Sequence, residues 1–279
     1  MRPRTRISSR STGVGTVGPS AQRVFGTDPE RYAVGRPGYP AGIFDTLAHR
    51  CGLAPGTPAL EIGPGTGQAT ADLLARGAEP LTVVEPNPAL AAYLRRRFGS
   101  RITIAVVPFE EIDLAPGSVR LAASATAWHW VDQDVGLRLI RRVLAPGGWW
   151  ACWWTLFHDP DDPDDLFEAL EPILEPLPTL PGQSRRDRAG AFAFDREARA
   201  ADLARTGSFD APEIEVFRWK LELDARRARM LFATFSPILA LAPADRESVL
   251  DRIVDVVDGQ LGGRVMRSCV SILYTARRC

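Results

Sequence analysis

Three glycines at alternate positions, Gly63, Gly65 and Gly67, follow a short apolar run and open a helix-like segment. Glycines in such a turn let a ligand approach the backbone, and the free N–H groups of the following helix attract a carboxylate. The spacing is not the GxGxxG of pyrophosphate-binding loops, and no Lys-Ser or Lys-Thr pair follows as in a P-loop. Glu61, just before the loop, suits an ammonium group better than a phosphate. The pattern indicates a ligand with an amine and a carboxylate, although glycine in a tight turn can also be purely structural.

Glu85 ends the next apolar run. An acid about 20 residues past the glycines, at the end of the second strand, fits the hydroxyl groups of a ribose. The alternative is a solvated strand end or a helix cap. A ligand that has both an amino-acid end and a ribose describes S-adenosylmethionine (SAM), which we therefore expect as the cofactor.

His129 is the candidate general base, because it follows the fourth apolar run, at the ligand-facing end of the predicted sheet. An unperturbed histidine pKa near 6.5 suits this role. Methyl transfer from a sulfonium depends mostly on proximity and orientation, so a base is required only if the acceptor must lose a proton. The alternative for His129 is packing between Trp128 and Trp130 as a pocket wall. His158 is a weaker candidate, and His49 is expected to be structural.

Seven apolar runs predict the strands that must position these groups. The predicted strands are 58–62, 81–85, 102–107, 119–124, 149–156, 213–222 and 265–276. The predicted helices are 68–76, 88–98, 132–144 and a group within 225–259. Strand–helix alternation predicts an α/β fold with a doubly wound, mostly parallel sheet that helices cover on both faces. The two late strands predict an antiparallel edge.

The chain divides into a short tail and one domain. Residues 1–21 are expected to be a disordered tail because they are rich in Arg, Ser, Thr and Gly, and a transit peptide is the alternative. Residues 22–279 are expected to form the domain. Two stretches, about 159–210 and 223–262, interrupt the strand rhythm and are expected to form a cap or lid.

Composition narrows the classes of partner. Lys+Arg and Asp+Glu both number 34, and the lack of a basic excess speaks against a nucleic-acid partner. No apolar run approaches the roughly 20 residues that a membrane crossing needs. The four cysteines are scattered without metal-ligand spacing, which predicts reduced thiols, no bound metal and a cytoplasmic location. We expect a small-molecule substrate and a monomer or homodimer.

Several segments together resemble a known family. EIGPGTG at 61–67, VEPN at 84–87 and LAPGG at 144–148 look like the successive motifs of class I SAM-dependent methyltransferases. FGTDPERY at 25–32, RPGYP at 36–40 and SATAWHW at 124–130 resemble small-molecule enzymes similar to trans-aconitate methyltransferase. The resemblance implies a Rossmann-like seven-stranded fold and methyl transfer to an oxygen, nitrogen or carboxyl group of a small molecule, in bacterial secondary metabolism. The alternatives are a non-catalytic SAM-binding or scaffold protein and an NAD-dependent oxidoreductase.

The resemblance also implies roles for individual residues. The expected cofactor contacts are Glu61 to the amino group, Gly63, Gly65 and Gly67 around the methionine part, Glu85 to the ribose, and Phe109 and Glu110 beside the adenine, with Pro86 and Ser124 nearby. Tyr32 and Arg36 lie in a segment that closes over the cofactor in similar enzymes, so they are expected to contact the substrate or SAM, and a solvated helix face is the alternative. By their positions, Trp128, Trp130 and Phe235 are expected to line the substrate pocket, with helix core as the alternative for Phe235. Pro108 stands where many relatives carry an acid, so adenine recognition would depend on stacking and backbone contacts.

Two charged segments have competing interpretations. DPDDPDD at 159–165 could suggest calcium, but it lacks the glycine and the terminal glutamate of an EF-hand loop, and a solvated turn that caps a helix is the alternative. RRDR at 185–188 could meet an anionic substrate or could be an exposed loop.

Overall fold

The computed structural model describes residues 28–177 and 189–279. The predicted tail at 1–21 and the RRDR cluster at 185–188 lie outside the described residues. The described residues form a sheet of seven strands. The strands are β1 (Thr57–Ile62), β2 (Ala78–Val84), β3 (Ile102–Ala105), β4 (Val119–Ala125), β5 (Leu144–Leu156), β6 (Glu213–Asp224) and β7 (Arg264–Arg277).

Helices follow the first strands as the sequence pattern predicts. In chain order they are α1 (Pro29–Gly35), α2 (Ala41–His49), α3 (Gln68–Ala75), α4 (Pro88–Phe98), α5 (Gln133–Val143), α6 (Asp165–Leu174), α7 (Ala189–Phe194), α8 (Arg196–Thr206), α9 (Ala225–Phe232), α10 (Ser236–Leu239) and α11 (Pro243–Asp255). Short 3-10 turns occur at Gly99–Arg101, Phe109–Glu111 and Trp128–Trp130, and a π-helical turn at Val256–Gln260 ends α11. The predicted helical group within 225–259 is broken because Pro237 and Pro243 each stand in the first turn of a new helix.

The strand order β3-β2-β1-β4-β5-β7-β6 confirms the predicted α/β fold with a mostly parallel sheet. β7 runs antiparallel to both β5 and β6. The antiparallel strand is therefore one position in from the edge, and β6 forms the edge itself. The reversal of order between β1 and β4 leaves a crevice at the carboxyl ends of these strands, which is where ligands bind in open α/β sheets.

The sheet is apolar on both faces, and each face has its own hydrophobic cluster. One cluster includes Trp128, Trp150 and Trp154, and the other includes Phe44 and Trp153. A third cluster joins α6, α9, α10 and α11 to the end of β5 and to the strands β6 and β7. We call these four helices the helical cap.

The first predicted insertion, 159–210, does not act as one unit. Its α6 belongs to the helical cap, whereas α7 and α8 cover a face of the sheet. Ala193 and Leu203 are buried in the cluster of that face, and the Tyr274 hydroxyl donates to the Ala193 carbonyl at 2.6 Å. None of the helices in the described part of the chain combines the length and the apolar character that a membrane crossing requires.

Candidate functional site

A cavity of about 870 Å³ opens at the carboxyl ends of the parallel strands. The loops after β1, β2, β3 and β4 form one end of it, which we call the loop end. The helical cap, α1 and the end of β5 form the other end, which we call the cap end. The cavity thus lies between the sheet and the cap.

All three glycines of the loop after β1 have a positive φ, and a Cβ would have different surroundings at each position. Gly63 has φ +66°, and a Cβ there would lie 2.5 Å from the Cβ of Ala127. Gly67 has φ +82° and caps α3, and a Cβ there would lie 2.4 Å from the Phe98 ring. Gly65 has φ +58°, but a Cβ there would meet no atom within 4 Å. Gly63 and Gly65 line the cavity, whereas Gly67 supports the loop from behind.

Glu85 lies at the cavity wall with its carboxylate held by backbone donors. Its Oε2 accepts from the N–H of Gly65 at 3.1 Å, and its Oε1 accepts from the N–H of Asn87 at 2.9 Å. Burial raises the pKa of Glu85 to about 7, although both hydrogen bonds favour the ionised form. The side chain can therefore accept hydrogen bonds from a ligand and is close to its titration point at neutral pH.

Glu61 is fully buried beneath the loop and does not line the cavity. The hydroxyl of Thr70 donates to its Oε2 at 2.6 Å, but its Oε1 has no hydrogen-bond partner. Burial raises the pKa of Glu61 to about 7, and the nearby charge of Glu85 adds to this rise. The unpartnered oxygen is a position that a water molecule linked to an ammonium group would satisfy, so the residue present fits the expected cofactor.

Of the other expected cofactor contacts, Pro86, Phe109 and Glu110 line the loop end. Phe109 packs against Trp128, with 5.9 Å between the ring centroids. Ser124 does not line the cavity, because its hydroxyl donates to the carbonyl of Ile62 at 3.0 Å and joins β4 to β1.

His129 lines the cavity, and its ring is held in one tautomer. The indole N–H of Trp154 donates to its Nδ1 at 3.1 Å, so the neutral ring carries its own proton on Nε2. Burial lowers the pKa of His129 to about 4. Both observations favour a neutral hydrogen-bond donor over the general base that the sequence predicts.

The expected substrate contacts separate into two groups. Tyr32, Arg36, Trp130 and Phe235 line the cavity. Trp128 does not, because it is buried against Trp150, with 4.5 Å between the ring centroids. Trp128 therefore lies in the core below the site, where it packs against Phe109.

Two residues at the floor of the cavity, Tyr39 and Thr126, are not among the residues predicted from the sequence. Thr126, directly after β4, has φ +54° and is a non-glycine residue in the left-handed region. Its Oγ1 lies 3.2 Å from the hydroxyl of Tyr39, whose pKa is raised by burial. Strained backbone of this kind is frequent at binding sites. Tyr39 was within reach of the sequence as part of RPGYP, but nothing in the type of residue 126 indicates its backbone conformation.

The acidic segment at 159–165 forms ion pairs with strands β6 and β7. Asp159 and Asp161 pair with Arg218, and Asp162 pairs with Lys220. Asp164 caps α6 and lies 2.8 Å from the guanidinium of Arg267. In residues 28–177 and 189–279, no group of three or more His, Cys, Asp or Glu side chains is arranged to hold a metal ion.

The chain is similar to several known methyltransferases. A family model described as "Methyltransferase domain" matches residues 60–152. The methyltransferase tpcM of Aspergillus fumigatus is 31% identical, over 89% of this chain and 91% of that protein. An uncharacterised methyltransferase of Mycobacterium tuberculosis is 36% identical over 124 residues, which is 44% of this chain and 49% of that protein. The chain thus aligns with about half the length of this relative.

Solved structures show the same fold. A proposed type II methyltransferase from Anaeromyxobacter dehalogenans superposes with a TM-score of 0.62 at 24% identity, over 87% of this chain and 97% of that one. Phosphoethanolamine N-methyltransferase 2 from Haemonchus contortus, in complex with phosphomonomethylethanolamine and S-adenosylhomocysteine, superposes with a TM-score of 0.52 at 14% identity, over 92% of this chain and 57% of that one. At these identities the likeness concerns the fold.

Proposed function

The chain belongs to the class I SAM-dependent methyltransferases, and we propose that it transfers the methyl group of SAM to a small, largely apolar acceptor bound at the cap end. The observation that carries the proposal is that the glycine loop and a wall of aromatic side chains line the same cavity. This wall consists of Trp130, Phe157, Phe167, Phe232 and Phe235. The volume of the cavity, about 870 Å³, lies within the roughly 300–1,000 Å³ range of small-molecule sites.

The cofactor is proposed to occupy the loop end. Gly63 and Gly65 would approach the methionine part, Glu85 would accept from the ribose hydroxyls, and Phe109 would lie beside the adenine. SAM supplies a methyl group on a sulfonium, which leaves as a neutral thioether. The protein therefore has to hold the acceptor in line with that methyl group, and its contribution is mainly orientation.

An acceptor under the helical cap is shielded from water by the aromatic wall. A nucleic acid is a poorer fit, because the net charge is zero and recognition of phosphates requires a basic surface. A place in bacterial secondary metabolism is part of the proposal, since pathways that build small apolar molecules supply such acceptors.

We propose that His129 orients the acceptor by donating a hydrogen bond from Nε2, and does not remove its proton. At saturating cofactor, kcat is then expected to show no inflection from His129 between about pH 6 and 8, because its pKa is about 4. The His129→Asn variant retains a donor and is expected to keep most of the activity. The His129→Ala variant is expected to lose roughly tenfold in kcat/KM. An inflection near neutral pH that disappears in the asparagine variant would restore the role of general base.

The Glu85 carboxylate is expected to make cofactor binding dependent on pH. Ribose hydroxyls donate to the ionised form, so the affinity for SAM should fall as the pH is lowered through about 7, the pKa of Glu85 in the free protein. At pH 8 the Glu85→Gln variant should bind SAM more weakly by about 1–3 kcal/mol and show a weaker pH dependence. Calorimetry measures both. Glu79→Gln, at an exposed position of β2, is the control and should change neither.

The acceptor class is tested by methyl transfer from radiolabelled SAM. Small phenols, aromatic acids and aromatic amines are offered separately, and a structured RNA is offered as the competing class. Label in a small aromatic product is the expected result. Label in the RNA alone would contradict the proposal. Tight binding of SAM without transfer to any acceptor would favour the non-catalytic SAM-binding protein, and binding of NAD without SAM would favour an oxidoreductase.

A further inference from the structure

Arg36 carries a positive charge at the cap end that no acidic side chain of residues 28–177 and 189–279 neutralises within ion-pair distance. The carbon of its guanidinium lies 5.0 Å from the ring centroid of Phe157, 5.1 Å from that of Phe235 and 5.5 Å from that of Tyr32. Its Nη2 donates to the carbonyl of Thr234 at 3.2 Å. Its Nε is buried and has no hydrogen-bond partner. The guanidinium is thus oriented by aromatic rings but keeps unused donors.

A second arginine at the same end, Arg267, has its charge neutralised. It is 3% exposed, its Nε donates to the carbonyl of Phe157 at 2.5 Å, and its Nη1 lies 2.8 Å from Asp164. Two arginines therefore reach this end of the cavity beside Phe157, and only one of them has a carboxylate partner among the described residues. Glu171 of α6 and Glu175, directly after that helix, also line the cavity, but both are exposed.

A partly buried guanidinium without an anionic partner raises the free energy of the folded protein. An ionised carboxylate is the partner that lowers this free energy most, because it forms charge-assisted hydrogen bonds with the guanidinium. The ring faces around Arg36 stabilise the cation and hold its plane, which prepares it for a planar carboxylate. The N–H groups of Gly63, Gly65 and Gly67 are already bonded within the protein. The carboxylate of SAM would instead be met at the loop end by the first backbone N–H groups of α3. Arg36 contacts α1, the end of β5 and the segment between α9 and α10. These contacts place Arg36 at the cap end, where the acceptor is proposed to bind.

We propose that Arg36 binds a carboxylate of the acceptor, so that the enzyme prefers an aromatic carboxylic acid over the neutral molecule of the same shape. This inference rests on the proposed function, because that function places the acceptor at the cap end, against the aromatic wall. The aromatic wall would bind the ring of the acceptor, and Arg36 would favour acceptors that carry a carboxylate.

The test compares benzoate with benzamide, which match in shape and differ in charge. Binding of each is measured by calorimetry to the protein saturated with S-adenosylhomocysteine. The unsubstituted protein should bind benzoate about tenfold more tightly than benzamide, the scale of a charge-assisted hydrogen bond. Arg36→Gln should abolish this preference, while its affinity for S-adenosylhomocysteine stays within about twofold. Arg36→Lys should retain part of the preference, because it keeps the charge but not the planar fork.

Arg31→Gln is the matched control, because Arg31 lies on α1, the helix that Arg36 directly follows, but is exposed and lies 3.9 Å from Glu247 on the surface. It should keep the full preference for benzoate. Equal binding of benzoate and benzamide by the unsubstituted protein would overturn the role of Arg36 but leave the proposed function intact. No binding of either molecule would overturn the aromatic acceptor and this inference with it. A parallel loss of S-adenosylhomocysteine affinity in Arg36→Gln would assign the residue to the cofactor and overturn the inference.

Discussion

The Gly65→Val variant is expected to fold and to lose at least about 100-fold in affinity for SAM. A Cβ at position 65 meets no protein atom within 4 Å, so the branched side chain would extend into the cavity at the place proposed for the methionine part of the cofactor. The backbone N–H of Gly65 also donates to Glu85, and a shift of the loop would disturb that bond. Calorimetric titration with SAM measures the loss.

Gly207→Val separates this steric effect from backbone strain. Gly207 ends α8 with φ +59°, close to the φ of +58° at Gly65, and its Cβ would also meet nothing within 4 Å. Both variants should therefore lose similar stability, about 1–2 kcal/mol for the left-handed conformation. Gly207→Val should bind SAM normally because position 207 does not line the cavity. If Gly65→Val binds SAM as well as Gly207→Val does, the cofactor does not occupy this loop.

The Asp164→Ala variant is expected to lose roughly 3–5 kcal/mol in free energy of unfolding, because it leaves the buried guanidinium of Arg267 without a counter-ion. The Asp164 side chain is 9% exposed and that of Arg267 is 3% exposed. The same carboxylate also accepts from the backbone N–H groups of Ser268 at 2.6 Å and Phe167 at 2.8 Å. One residue thus joins α6 of the cap to β7 of the sheet.

Asp195→Ala is the matched control for the capping part of this loss. Asp195 caps α8 by accepting from the N–H of Ala198 at 3.0 Å, and it is exposed. Its removal should cost only about 1 kcal/mol, the usual contribution of a cap. Urea denaturation at neutral pH measures both variants. Equal losses would mean that the pair of Asp164 and Arg267 contributes nothing beyond the cap.

The parts of the fold that follow local patterns could be predicted from the sequence. The apolar runs gave all seven strands, and Pro88 at the start and Gly99 at the end placed the bounds of α4 correctly. β5 begins earlier than predicted, at Leu144, because Leu144 pairs with Val119 before the register shifts. The position of β7 between β5 and the edge strand β6 depends on which strands pair. Local patterns carry no information about pairing between distant segments.

The parts of the site that depend on tertiary contacts could not be predicted. His129 was found from its place after a strand, but the donor that sets its tautomer, Trp154, comes from β5. Arg267 lies far along the chain in β7, and only the folded chain brings it to the cavity beside Phe157. The positive φ of Thr126 is imposed by its surroundings and is not encoded by the residue type.

The helical cap has a hydrophobic cluster of its own, and this affects how the enzyme can diverge in evolution. Phe157, Phe232 and Phe235 of the aromatic wall, where the acceptor is proposed to bind, belong to the cap cluster, whereas the glycine loop rests on the clusters of the sheet. Substitutions in the cap can therefore reshape the aromatic wall without altering the packing beneath the loop. Natural selection, or directed evolution in the laboratory, can exchange one acceptor for another while the chemistry of the cofactor is inherited unchanged.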